Sequence, residues 1–193
     1  MITIETKEIH YNSSMSSTIL NETWLNTPLG PMLAIADETA LYLLEFQNRQ
    51  GLEREIERLR YKTQAAILPG CTTPIRLIEQ ELKQYFEGKL TTFTTPLRLL
   101  GSPFQQAVWQ ELQKIPLGET QSYAQLAQAL GKPAAYRAVA QANGANQLAL
   151  IIPCHRVINA DGNLGGYSGG IARKEWLLKH EQQTLKLTDE SST

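Results

Sequence analysis

Residues 152–157 read Ile-Pro-Cys-His-Arg-Val. A cysteine is a useful nucleophile only as thiolate, and a neighbouring base or cation is what makes the thiolate accessible. Cys154 has both beside it in sequence, His155 and Arg156, behind the rigid Pro153. The apolar run Leu148-Ala149-Leu150-Ile151-Ile152 predicts a buried strand that would carry the thiol to a rigid edge. Successive strand residues face opposite ways, so a bend after Pro153 or a relaying water would have to connect Cys154 to His155. A sulfur so placed points to group transfer onto sulfur or to hydrolysis through a thiol ester.

The elements around this run must decide between the two. The first ~45 residues alternate apolar and polar side chains: Ile2–Glu5, Thr23–Leu25, Met32–Ile35 and Leu41–Leu44, with turn signals at 26–30 and 37–38. That pattern predicts a small antiparallel sheet. Helical periodicity marks 51–64 and 73–87, and an extended stretch from Thr91 to Leu100 leads to Gly101. Beyond it the chain reads as mainly helical. Ser102 and Pro103 open a helix to Ile115, Ser122 caps a second from Tyr123 to Leu130, and a third spans 134–142. Gly131-Lys132-Pro133 between the last two suggests a helix-turn-helix. A glycine-rich loop, Asp161–Gly170, and a helix from Ala172 to Glu181 complete the pattern.

Composition bounds the remaining possibilities. The chain has 193 residues, 42% hydrophobic and 19% charged, with a net charge of −1. No apolar stretch approaches the ~20 residues of a membrane span, and the N-terminus shows no basic region followed by an apolar one. Two cysteines, Cys71 and Cys154, argue against a disulfide framework and fit the reducing cytoplasm. Residues 99–193 carry 8 Lys+Arg against 7 Asp+Glu, and two of those acids, Asp189 and Glu190, lie in the Ser/Thr-rich tail. The C-terminal part is thus mildly basic, enough for weak phosphate contact.

Pro153-Cys154-His155-Arg156-Val157, together with Ser122-Tyr123, Arg137-Ala138-Val139, Asn146, Gly166-Tyr167-Ser168-Gly169-Gly170 and Lys174–Glu181, resembles the O6-alkylguanine-DNA alkyltransferases. The resemblance covers 100–182 throughout and the N-terminal part more loosely. It implies an α+β fold: a ribonuclease H-like domain over 1–98 with a small antiparallel sheet and helices, then a mainly helical, winged-helix-like domain over 99–182. Residues 183–193 are expected to form a disordered tail. The implied reaction is repair by direct reversal. O6-alkylguanine, with O4-alkylthymine as a second candidate, is flipped out of double-stranded DNA, and its alkyl group passes irreversibly to Cys154 in a single turnover.

By the same resemblance, His155 takes the thiol proton through a water and Glu181 orients the imidazole. Tyr123 donates toward N3 of the departing guanine. Ser168, with backbone around Tyr167 and Val157, contacts the guanine edge. Arg137 fills the space of the flipped nucleotide, Asn146 pins the turn, and Tyr136 and Ala138 face DNA on the same helix. That helix is rich in small residues, which suits sequence-independent binding in the minor groove. A cytoplasmic, bacterial monomer needing no cofactor is expected.

The chain departs from the family pattern in two places. Tyr136 is bulkier than the residue some relatives have there, and Gln147 stands where many have Pro. Some relatives hold a structural zinc, but 1–98 offer only His10 and Cys71 as His/Cys ligands, so no metal is expected. Trp109, Trp176 and Phe104 read as core, His180 as an exposed helix residue and Cys71 as a bystander. Three rivals remain. A Cys–His hydrolase would leave Arg137 unexplained, a non-catalytic binder of alkylated DNA would not need Cys154, and a transcription regulator would want a sensor domain.

Overall fold

The structure, a computed structural model, describes residues 18–190. The strand expected at Ile2–Glu5, and His10, lie outside them. The N-terminal part is a four-stranded sheet of order β3-β2-β1-β4, formed by β1 (Ile19–Leu25), β2 (Met32–Ala36), β3 (Leu41–Phe46) and β4 (Ala66–Pro69). The first three strands form the expected antiparallel meander, with Trp24 opposite Leu33 and Ala34 opposite Leu44. β4 pairs parallel to β1, so the sheet is mixed rather than purely antiparallel. The helix α1 (Leu52–Thr63) supplies the crossover that a parallel pair requires.

Every residue of β2 is buried, because both faces of the sheet are covered. α1 packs Leu52 and Leu59 with Leu20, Leu33, Ile35 and Leu43 on one face. The other face joins a larger core that includes Tyr85 of α2 (Thr73–Phe86) and Trp109 of α3 (Pro103–Leu112), and it continues to Cys154. The extended stretch after α2 adds one bridge to the sheet, Leu97 beside Leu41. One apolar core thus runs from the sheet to the thiol.

In the C-terminal part, Ser102 and Ser122 both form capping boxes, accepting from the N–H of Gln105 and Gln125 while those side chains accept in return. α4 (Tyr123–Ala129) ends at Gly131, whose φ of +67° suits a residue without Cβ. A 3-10 turn at Pro133–Ala135 leads into α5 (Tyr136–Gly144), giving the helix-turn-helix. The Trp109 indole N–H donates to Ala142 O at 2.8 Å and ties α5 to α3. Short strands β5 (Gln121–Ser122) and β6 (Val157–Ile158) pair in parallel.

Two further expectations are corrected. The apolar run 148–152 is a tight turn, not a strand. Leu148 bridges Leu44 of β3, and the backbone then folds on itself, with Ile152 N–H to Leu148 O at 3.0 Å. Leu150 sits at φ +72°, a left-handed conformation that costs an L residue about 1–3 kcal/mol. A buried apolar run looks the same in sequence whether it forms a strand or a buried turn. The last helix, α6, runs Ile171–Glu190, so 183–190 continue it rather than forming a disordered tail. Thr184, 3% exposed, packs its inner face there.

Candidate active site

Asn146 builds the turn that holds the thiol. Its amide N–H groups face Ile152 O at 2.9 Å and Leu148 O at 3.4 Å, and its Oδ1 accepts from Leu148 N–H at 3.0 Å. The same amide lies 3.2 Å from the Cys154 sulfur. Asn146 therefore bonds across the turn and also places an amide donor beside the sulfur.

Cys154 opens a single 3-10 turn, Cys154–Arg156, which rotates consecutive side chains apart more gradually than a strand would. Its sulfur lines a cavity of about 490 Å³ between α5 and the glycine-rich loop, within the ~300–1,000 Å³ of small-molecule sites. Tyr123, Asn143, Tyr167 and Ser168 also line it, with Ala140, Gly144 and Gly166 leaving room for a planar ligand. At Gly169, any Cβ would lie 2.6 Å from the Tyr167 ring, so that ring's position requires glycine there.

His155 is fully buried. Its Nε2 lies 2.8 Å from Glu181 Oε1. Glu181 is also buried and collects further donors: Arg156 Nε at 2.9 Å and Nη2 at 3.0 Å, the Tyr85 hydroxyl at 2.8 Å and Gly118 N–H at 3.2 Å. Burial opposes its charge, but the donors from His155 and Arg156 outweigh that and hold its carboxyl well below the usual range. An ionised Glu181 accepts the proton on Nε2, which leaves Nδ1 as a lone pair. That Nδ1 is buried without a hydrogen-bond partner. Burial, against the pull of Glu181, also lowers the His155 pKa, so the ring is a neutral base at pH 7.

The thiol is not a resting thiolate. Burial pushes its pKa up to about 11; Asn146, Lys174 and Arg49 pull it down, and Glu45 pushes it further up. Arg156, the adjacent cation that was expected to lower it, is turned to Glu181 and to Ile115 O. The sulfur must therefore ionise by losing its proton to a base as it reacts.

Of the other expected residues, Tyr123, Tyr167 and Ser168 gather at the cavity, whereas Val157 does not line it. The Val157 carbonyl accepts from Lys174 Nζ at 2.6 Å. Arg137, Tyr136 and Ala138 are exposed on α5, with the Arg137 guanidinium 5.6 Å from the centre of the Tyr136 ring. His180 is half-buried rather than exposed, bonded to Tyr85 O and stacked on a partly exposed Trp176.

Sequence reasoning missed four contributors. Tyr85 and Asn143, whose amide donates to Cys154 O at 3.3 Å, carry no local signal. Arg156 and Lys174 stood inside recognised motifs, but the partners of a buried cation are set by tertiary contacts. Lys174 is fully buried and donates to Val157, Leu164 and Gly166 carbonyls; burial lowers its pKa to about 8. It staples the loop that carries Tyr167 and Ser168. Lys174→Met is expected to destabilise the fold by about 1–3 kcal/mol by leaving carbonyls unpaired, and to slow alkyl transfer about tenfold. Denaturant melts and single-turnover rates check this; a rate within twofold of wild type would show that the staple does not shape the cavity.

The fold and the site define a protein that presents a cysteine nucleophile beside a helix-turn-helix. The family model described as "6-O-methylguanine DNA methyltransferase, DNA binding domain" matches residues 103–183, and that of its ribonuclease-like domain matches 20–99. A methylated-DNA–protein-cysteine methyltransferase of Salmonella typhimurium is 42% identical over 168 residues, covering 86% of this chain and 98% of the relative. One from Methanosarcina barkeri is 40% identical, covering 84% and 97%. Crystal structures of the Mycobacterium tuberculosis O6-methylguanine methyltransferase and of its complex with DNA match with TM-scores of 0.73 at 39% and 38% identity, each covering 86% of this chain and 94% of that one. The chain belongs to the 6-O-methylguanine DNA methyltransferase family. Its activity is DNA repair by alkyl transfer from DNA to a cysteine of the protein. Among the described residues, no group of His, Cys, Asp and Glu is placed to hold a metal, and no helix is long and apolar enough to cross a membrane.

Proposed function

We propose that Cys154 is the acceptor and that the cavity beside it takes an O6-alkylguanine turned out of double-stranded DNA. The observation that carries this is the position of the sulfur: it lines a nucleobase-sized cavity while the neighbouring His155 keeps an unpartnered Nδ1 and a Glu181-bound Nε2. The thiol proton passes through a water to Nδ1, and Glu181 stabilises the imidazolium. Sulfur bonds to the alkyl carbon as the carbon–O6 bond breaks, and the electron pair leaves with guanine. Burial, and the charge on Cys154 once its thiol ionises, raise the Tyr123 pKa, so its hydroxyl keeps its proton and serves as a hydrogen-bond donor to guanine N3. Asn143 and Ser168 line the cavity where the base edge would lie, with Tyr167 packed edge-on to His155 at 6.4 Å between ring centres. The expected role of Val157 reduces to anchoring Lys174. The thioether product has no leaving tendency toward water, so each molecule reacts once.

The exposed face of α5, with Tyr136, Arg137 and Ala138, enters the minor groove as a monomer in the cytoplasm, and Arg137 occupies the place of the flipped nucleotide. Its small, mostly uncharged surface makes binding independent of sequence. O4-alkylthymine is a second substrate to assay. Arg137 is exposed, so Arg137→Ala should change stability by no more than about 0.5 kcal/mol. It should slow transfer from duplex DNA about tenfold, because flipping costs a few kcal/mol, and should slow transfer from a single strand much less. Equal slowing on both substrates would remove Arg137 from the flipping step.

A further inference from the structure

Strand β3 does more than belong to its sheet. Leu44 donates to Gln147 O and accepts from Ala149 N–H, both at 2.8 Å, so the start of the thiol turn continues the sheet edge. The next residue, Glu45, is 1% exposed, and Arg49 is 7% exposed. The Arg49 Nε lies 3.4 Å from Glu45 Oε1, and its Nη2 donates to Gly144 O at 3.4 Å. Gly144 ends α5, where the last carbonyls carry the negative end of the helix dipole. Three residues on, the Gln147 side chain donates to Glu55 Oε2 of α1. Gln147 thus has a partner in the N-terminal domain that a proline could not have.

A buried carboxyl–guanidinium pair is seldom retained for stability alone, since a well-packed apolar pair is often as stable or more so. This pair is also poorly satisfied: both Glu45 oxygens and two Arg49 nitrogens lack a hydrogen bond. We infer that Glu45, Arg49 and Glu55 are positioning residues for alkyl transfer: they clamp Gly144 and Gln147 so that Asn146, between them, is held against the Cys154 sulfur. The inference rests on Cys154 being the acceptor.

The clamp also sets part of the field at the sulfur. The charges acting on Cys154 are those of Glu45, which opposes its ionisation, and of Arg49 and Lys174, which favour it, with Tyr123 and Tyr167 beside it in the cavity. Glu45 itself faces Arg49 and, from α1, Glu55. Burial raises the Glu45 pKa to about 8, so its carboxylate opposes the thiolate chiefly in alkaline solution.

Single-turnover rates across DNA concentration and pH test this, alongside thermal melts and mass spectrometry of Cys154. Arg49→Met should cut the limiting rate about tenfold while moving the half-saturating DNA concentration less than about twofold, and Arg49→Lys should restore part of the loss. The ratio of the Glu45→Gln rate to the wild-type rate should rise about threefold between pH 7 and pH 9, as a carboxylate that would oppose the thiolate is gone. If that variant fails to fold with Arg49 unpaired, Glu45→Gln/Arg49→Met leaves no stranded charge and should show the same alkaline rise on a slower rate. Limiting rates within twofold of wild type and parallel pH profiles, with only melting temperatures lowered, would overturn the inference. A wild-type protein that takes no alkyl group on Cys154 would instead sink the acceptor assignment on which it rests.

Discussion

Cys154→Ser is expected to abolish methyl uptake from O6-methylguanine DNA while leaving the protein folded and able to bind DNA. The substitution is nearly isosteric, and a serine hydroxyl can take the sulfur's place beside the Asn146 amide, so stability should change by no more than about 1–2 kcal/mol. The chemistry is not conserved. A hydroxyl is far harder to ionise than a thiol, and His155 alone cannot make an alkoxide that displaces guanine. Loss of a nucleophile lowers rates by on the order of 10⁶, which puts the variant below detection. Residual transfer by Cys154→Ser, found on another residue, would mean that the acceptor lies elsewhere; Cys71, exposed and outside the cavity, is not expected to replace it.

Glu181→Gln carries the next largest effect, on two quantities at once. Among the described residues, the carboxylate is the only anion bonded to Arg156 and His155. Gln keeps the shape but strands the Arg156 charge in the interior, and removing one partner of a buried pair costs about 3–5 kcal/mol. It also removes the charge that supports a protonated His155, so transfer should slow by about 10²–10³-fold, within the range of general base catalysis. Both effects follow in the wild type from pH. The Glu181 and His155 pKa values both lie below their unfolded values, so the unfolded chain binds more protons as pH falls. The stability contributed by these two groups should be full above about pH 7, decline as unfolded histidine protonates below about pH 6.5, and decline further as unfolded glutamate protonates below about pH 4.5. Glu181→Gln should lose the lower part of that decline. Denaturant melts across pH and a single-turnover assay measure both.

The pattern of what was legible in sequence follows from how far each signal reaches. The capping boxes at Ser102 and Ser122, the glycine after α4 and the helical periods of α1 and α2 are local, and the elements form where those signals stand. Motif spacing singled out residues that the fold brings into two groups: His155 bonds to Glu181, and Cys154, Tyr123, Tyr167 and Ser168 line one cavity. Properties fixed by the third dimension were not legible. A buried run at 148–152 satisfies a strand pattern and a pinned turn equally, and only the Asn146 contacts distinguish them. Adjacency suggested that Arg156 serves the thiol, but its partner is a carboxylate 25 residues on. The parallel pairing of β4 depends on the crossover by α1. The helix past Glu181 is held by Thr184 and Leu185, packed inward in a segment whose composition suggests a tail.

One sulfur accepts one alkyl group and keeps it. Mass spectrometry of the wild-type protein, incubated with an excess of duplex oligonucleotide containing O6-methylguanine and then digested, tests it directly. The predicted result is a single added methyl on the peptide containing Cys154, with uptake stopping at one equivalent per molecule and guanine restored in the DNA. Methyl release continuing beyond one equivalent, or a methyl group on any other peptide, would contradict the account.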